Sequence, residues 1–301
     1  MPGVRIAQLL LLVAMTALLL PGGATPALAH AGGLSSSTSE ARVLAIDPPV
    51  PGLDVRAAEF GARLRIENGT GDTVVVESPD GSPLAALPAV ASGAVAYWVD
   101  PRVTAAAAGD RPDGDRLAWS VPLRVGSSVA TVHGEQFWPP PPATALWVAL
   151  ALVALAVPAV VGVLGAGRRL GRVALAAATV VVIGSHLLHV FGSAGVPEDQ
   201  PYALMLLSAA GYALLGWPLG AVGAWLTVRG HVGGPLLCVA AGGLFAIVIT
   251  PIDAFTLVEA VVPFSWGADF DRLLVALTLG GGLGVVVAGM AVLRRGPVPA
   301  A

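Results

Sequence analysis

Lysine is absent from this 301-residue chain, so all sixteen of its basic residues are arginine. Cysteine occurs once, at Cys238, which excludes a disulfide framework and a cysteine metal cluster. Charge is scarce as well: 12% of residues are charged, against roughly 25% in a soluble domain. That argues against a cytosolic enzyme. The net charge is −3 and no basic run is present, so nucleic acid is not an expected partner. Also missing are a phosphate-binding glycine loop after a strand, a metalloprotease helix motif and a Ser/His/Asp arrangement. With no nucleophile–base pair, the chain reads as non-enzymatic. What it has in abundance is apolar surface, with 55% hydrophobic residues and a mean hydropathy of +0.80.

The first segment, 1–29, has the pattern of a secretory signal. Arg5 supplies the positive charge, Ile6 to Leu20 the apolar stretch, Pro21-Gly22-Gly23 the helix break and Ala27-Leu28-Ala29 the small-residue cleavage pattern. An uncleaved anchor helix is the alternative. Cleavage after Ala29 leaves a mature chain that begins at His30.

From 30 to 138 the character changes, with thirteen acids against eight arginines up to Ala143. Short alternating runs recur at 41–46, 62–67, 73–77, 94–99, 117–125 and 129–132, separated by turn signals such as Asn68-Gly69-Thr70-Gly71 and Pro112-Asp113-Gly114. The expected package is an all-β, Ig-like sandwich of about seven strands. The alanine-rich stretches 84–91 and 104–109 read as loops. Residues 139–144, with Pro139 to Pro142, read as a stiff linker into the membrane.

Five apolar segments follow within 145–295, at 145–165, 173–192, 202–228, 235–257 and 273–293. Each reaches the ~20 residues needed to cross a bilayer. Arg168, Arg169, Arg172, Arg229, Arg294 and Arg295 all fall on one side of that arrangement. The remaining acids, Glu198, Asp199, Asp253, Glu259, Asp269 and Asp271, fall on the other side or in the adjoining half. The positive-inside bias then predicts a multi-pass plasma-membrane protein with an extracytoplasmic β-domain, a five-span helical bundle and a cytoplasmic tail at 296–301. Thr250-Pro251-Ile252-Asp253 is expected to kink the fourth segment, and 258–266 to lie along the outer interface with Phe264 and Trp266 at headgroup depth. Gly216-xxx-Gly220 and Gly280-xxx-Gly284 allow close helix approach.

The histidines carry the functional signal. His186 and His189 stand one turn apart on one face of the second span, roughly 20 and 25 Å from Arg172 at 1.5 Å per residue. Asp253 lies at similar depth on the fourth span. Imidazoles with a carboxylate suit Cu(II) or another borderline cation; the plainer reading is hydrogen-bonded glue between helices. Two histidines one turn apart on one helix cannot sit on opposite sides of a haem iron. At the start of the mature chain, the His30 amine and imidazole can chelate one metal together, with His133 and Glu135 as partner ligands on one strand face. The plainer alternative is an arbitrary first residue and a surface histidine.

The opening His30-Ala31-Gly32-Gly33-Leu34, with Pro49-Val50-Pro51-Gly52-Leu53, Asn68-Gly69-Thr70-Gly71, Trp119-Ser120-Val121-Pro122-Leu123 and Trp138-Pro139-Pro140-Pro141, resembles a poorly characterised actinobacterial family of membrane proteins. That family pairs a secreted β-domain with a C-terminal helix bundle. The layout of a signal peptide followed by a mature His is also similar to the CopC copper-resistance family, here joined to a CopD-like membrane part. The likeness implies Cu(II) as the ligand at His30 and copper-trafficking envelope proteins as partners. The first family leads one to expect Trp-His-Asp-His where this chain has Trp98-Val99-Asp100-Pro101-Arg102, so both histidines of that segment are missing.

Two functions therefore stand open. One is an envelope protein that handles Cu(II) through His30, His133, Glu135, His186, His189 and Asp253. The other is a membrane-anchored interaction or structural protein with no metal role, whose β-domain docks a partner through strand edges or Trp98 and Trp138.

Overall fold

The computed structural model describes residues 34–78 and 89–295. The segment 1–29 expected to be a signal, His30, most of the alanine-rich stretch 84–91 and residues 296–301 lie outside the described residues.

Among the described residues, seven strands form the N-terminal part: β1 (Glu40–Asp47), β2 (Leu53–Ala58), β3 (Arg63–Asn68), β4 (Val74–Val76), β5 (Val95–Trp98), β6 (Arg116–Val125) and β7 (Ser128–Phe137). They make two antiparallel sheets, ordered β1-β7-β6-β4 and β2-β3-β5. Alternation decides what each sheet buries. On β6, Trp119, Val121, Leu123 and Val125 point inward and meet Val55, Leu64, Ile66 and Trp98 of the other sheet in one core. Gly134 stands opposite Trp119 on β7, and a Cβ there would lie 2.1 Å from the indole. The glycine gives the ring its place. Strand β2 was not foreseen, because Leu53-Asp54-Val55-Arg56-Ala57-Ala58 carries only one β-branched residue.

One expected loop is instead a helix, α1 (Pro101–Ala107). Asp100 caps it by accepting from the Arg102 amide, and Pro101 occupies its first turn, where the missing amide hydrogen costs nothing. The alanine run behind them is a good helix former.

The C-terminal part holds α2 (Thr144–Leu164), α3 (Arg169–Ala194), α4 (Tyr202–Ala210), α5 (Ala213–Val228), α6 (Gly234–Gly243) and α7 (Ala268–Arg295). Helices α2, α3 and α7 are long and apolar enough to cross a membrane. Helices α4 and α5 make a fourth span if they act together, but they are bent by 67° at a short break. The expected single segment 202–228 is therefore two pieces, because Gly211 takes φ 44° and turns the chain. The segment 235–257 is also broken: α6 runs on as a π-helical stretch to Ile249, turns at Thr250–Ile252 and resumes as a short 3-10 helix, Asp253–Leu257. The break falls where Pro251 predicts it.

Small residues set the helix packing. Along the seam of α2 and α7, a Cβ on Gly280 would lie 2.0 Å from the Ala151 carbonyl oxygen, one on Gly284 2.4 Å from Pro158, and one on Gly162 2.3 Å from Ala288. The Gly280-xxx-Gly284 pair thus lets two backbones touch, as its spacing implies. At one end of the bundle the basic loops meet: Arg172 reaches Gly230 and Arg295 donates to the Ala166 carbonyl at 3.3 Å. The β-domain sits at the other end.

Candidate functional site

The β-domain is fastened to the bundle by ionic contacts that begin in its own turns. The β2–β3 turn places Glu59 and Phe60 at φ 54° and 59°, a region most side chains avoid. That backbone sends the Glu59 carboxylate inward, where it accepts from Arg63 and from the Glu198 amide at 3.1 Å. Arg63 also donates to Asp199 at 2.7 Å, Arg56 to Glu198 at 2.5 Å, and the Tyr97 hydroxyl to Glu198 at 3.2 Å. Glu198 and Asp199 lie on the loop between α3 and α4. The part-exposed pairs of Arg56 with Glu198 and Arg63 with Asp199 contribute about 0.2–1 kcal/mol each, so they fix orientation more than they stabilise.

These ion pairs set a pH response. The Arg56 guanidinium holds the Glu198 carboxyl below its ordinary value, and Arg63 does the same for Asp199. A carboxyl with a depressed folded-state pKa contributes stability above its unfolded value and loses it as pH falls through the folded one. We therefore expect amide-exchange protection of the 195–201 loop to persist at neutral pH and to fall below about pH 4. Arg56→Ala with Arg63→Ala should remove it at pH 7; protection that survives both changes would show that docking does not depend on these pairs.

Beneath this contact lies a cluster of buried polar groups. His189 on α3 stands between two carboxylates from different elements. Its Nδ1 is 2.6 Å from Asp271 Oδ1, in the first turn of α7, and its Nε2 is 3.7 Å from Asp253 Oδ2, on the 3-10 helix. All three are no more than 4% exposed. Opposite an ionised carboxylate, which only accepts, Nδ1 would carry the hydrogen of this contact. Beside Asp271, Arg272 is buried and turns outward, donating from Nε to the Thr256 carbonyl, from Nη2 to those of Glu259 and Ala260, and from Nη1 to Asp269.

The sequence-predicted residues are brought together only in part. His189 and Asp253 meet. His186 lies one turn away, its ring 6.0 Å from that of His189, but it packs against Phe245 at 4.9 Å and Trp217 at 5.9 Å. Its Nδ1 is buried without a hydrogen bond among the described residues. Hence His186, His189 and Asp253 do not converge, and no group of three His, Cys, Asp or Glu among the described residues is arranged to hold a metal ion. The aromatic wall keeps His186 turned from the carboxylates. His133 and Glu135 lie far along the chain on β7, with His133 exposed and Glu135 held 3.1 Å from Arg116. His30 falls outside the described residues.

The structure also places three further segments that the sequence singles out. Phe264 is 1% exposed and stacked on His189, centroids 6.1 Å apart and planes 11° apart, while Trp266 is exposed. Trp98 and Trp138 are buried, so neither presents a docking surface. The segment Trp98-Val99-Asp100-Pro101-Arg102 is occupied by its own ion pair, with Arg102 2.7 Å from Asp100 and Trp98 Nε1 donating to the same carboxylate. Burial would push the Asp100 carboxyl up, but these hydrogen bonds outweigh it and hold the group below its ordinary value.

Asp271 is the partner that sequence reasoning did not single out, although it was noted among the outer acids. Its signal was periodic: Asp271, Val275, Thr278, Gly282, Val285 and Gly289 recur at helical spacing, and all are buried. The chain matches no protein-family model, no curated protein and no solved structure.

Proposed function

We propose that this chain is a multi-pass plasma-membrane protein of the cell envelope that handles a cation, Cu(II) or a similar transition metal, at its outer end. In this reading an Ig-like β-domain lies outside the cell, five apolar segments cross the bilayer, and the C-terminus is cytoplasmic. The gathering of Arg172, Arg295 and their loops at the end opposite the β-domain supports that orientation.

The observation that carries the reading is a buried imidazole held edge-on between two carboxylates. Ionisable groups at membrane depth are costly and mark ion or proton sites more often than packing. Asp271 fixes the ring through Nδ1, the second-sphere role that carboxylates take behind metal-binding histidines. Nε2 then faces Asp253 across 3.7 Å, a gap that one cation at about 2.0–2.2 Å from each atom spans. His186 completes the set only by turning from its aromatic wall. His30, with His133 and Glu135, forms the outer capture site. Ser37, seven residues after His30, is bonded to Val261 of the bundle at 2.9 Å. Seven residues reach at most about 25 Å. Copper-trafficking envelope proteins would be the partners.

Titration of the full-length chain with Cu(II), starting from an authentic His30 and followed by electron paramagnetic resonance, tests this. About one equivalent should bind at the terminal amine and be lost when one residue is added before His30. A second event should be lost in His189→Leu. A featureless titration would remove the metal and leave the second reading, a membrane-anchored interaction or structural protein. One observation favours that reading: no group of three His, Cys, Asp or Glu among the described residues is arranged to hold a metal ion.

A further inference from the structure

The cluster is closed from the β-domain side by one irregular segment, 258–267, and the contacts of that segment are unusual in where they lead. Its inner face carries Phe264, stacked on His189 and packed so tightly on Gly192 that a Cβ there would lie 2.1 Å from the ring. Three sets of hydrogen bonds hold the segment. Arg272 grips the Glu259 and Ala260 carbonyls. Ser265 donates from Oγ to the Gly192 carbonyl at 2.7 Å. Between them, Val261 exchanges two backbone hydrogen bonds with Ser37, both 2.9 Å, as an antiparallel bridge. Ser37 stands three residues before β1, so the backbone at the middle of the cover is hydrogen-bonded to the β-domain side, while the neighbouring Val262 packs on Leu274 of α7.

We propose that 258–267 is a strap over the His189 site and that the β-domain, through Ser37, holds it shut. Movement of the β-domain off the 195–201 loop pulls Val261 and lifts Phe264, opening His189 to the exterior. This rests on the acid–imidazole cluster being the functional centre, and not on which cation it takes.

The test uses the full-length chain in lipid nanodiscs and diethylpyrocarbonate, which acylates accessible imidazoles, with exposed His133 as the internal reference. Phe264→Ala should raise the acylation rate of His189 at least about tenfold. Ser37→Cys with Val261→Cys places a pair of thiols at a hydrogen-bonded bridge, about 5.5 Å between Cα atoms and within disulfide range. Cys238 is fully buried and does not compete. Oxidation of the pair should slow acylation of His189 below the wild-type rate, and reduction should restore it. Equal rates for the oxidised and reduced pair would overturn the strap, as would an unchanged rate in Phe264→Ala. Neither result depends on Cu(II), so a failed metal titration leaves this measurement intact.

Discussion

Gly280→Leu should detach α2 from the bundle and lower the melting temperature by roughly 6–12 °C, from an overpacking cost near 3 kcal/mol at about 2–4 °C per kcal/mol. The Cβ alone would sit 2.0 Å from the Ala151 carbonyl oxygen, a backbone atom that cannot move aside as a side chain can. The cost is not absorbed elsewhere, because α2 has little other hold. Leu146, Val148, Leu152, Val153, Val157 and Val160 on α2 are all exposed. In lipid such residues gain nothing by leaving their surroundings, so association depends on close packing along the seam. Gly184→Ala supplies the control: nothing lies within 4 Å of a Cβ there, and alanine favours a helix over glycine by about 0.8–1 kcal/mol. Thermal scans in detergent should show a large loss for the first and no loss for the second. Similar melting for both would mean that the seam does not hold α2.

This contrast shows where sequence reading succeeds and stops. The strands were legible because β-branched alternation leaves a period of two, and β6 matches its expected bounds within one residue. The Pro251 break was legible because proline acts locally. The bend at Gly211 was not, since glycine permits a turn without requiring one. For the site, a polar pair on one helix face gave His186 and His189, but which ring meets a carboxylate is a matter of tertiary packing. Phe245 and Trp217 take His186 out of the set, and nothing in its spacing from His189 foretells that. Asp271 was hidden by its neighbours: Asp269 and Arg272 make the start of α7 look like a solvated helix end, although Asp271 is fully buried. Ionic contacts between distant segments, such as Arg63 with Asp199, leave no local trace at all.

Replacing Asp271 alone and replacing it together with His189 should have very different effects. Asp271→Leu leaves a buried imidazole without its closest carboxylate, and breaking one side of a buried pair costs about 3–5 kcal/mol. His189→Leu leaves two carboxylates facing the same apolar space without the imidazole between them. The double variant replaces both partners of the 2.6 Å contact by apolar groups, an exchange that is often close to neutral for such a pair, although the Asp253 carboxylate stays buried beside it. The double variant should therefore lose less than the two single losses added together, with a coupling of about 2 kcal/mol, measured by thermal unfolding in the same detergent. Additivity within about 0.5 kcal/mol would mean that the 2.6 Å contact contributes nothing of its own. The comparison also separates the two functional readings. If the double variant is as stable as the parent yet takes up no cation, the charges are kept for chemistry, at some cost to the fold. If it is far less stable and the parent also binds none, the same charges are the glue between α3 and α7.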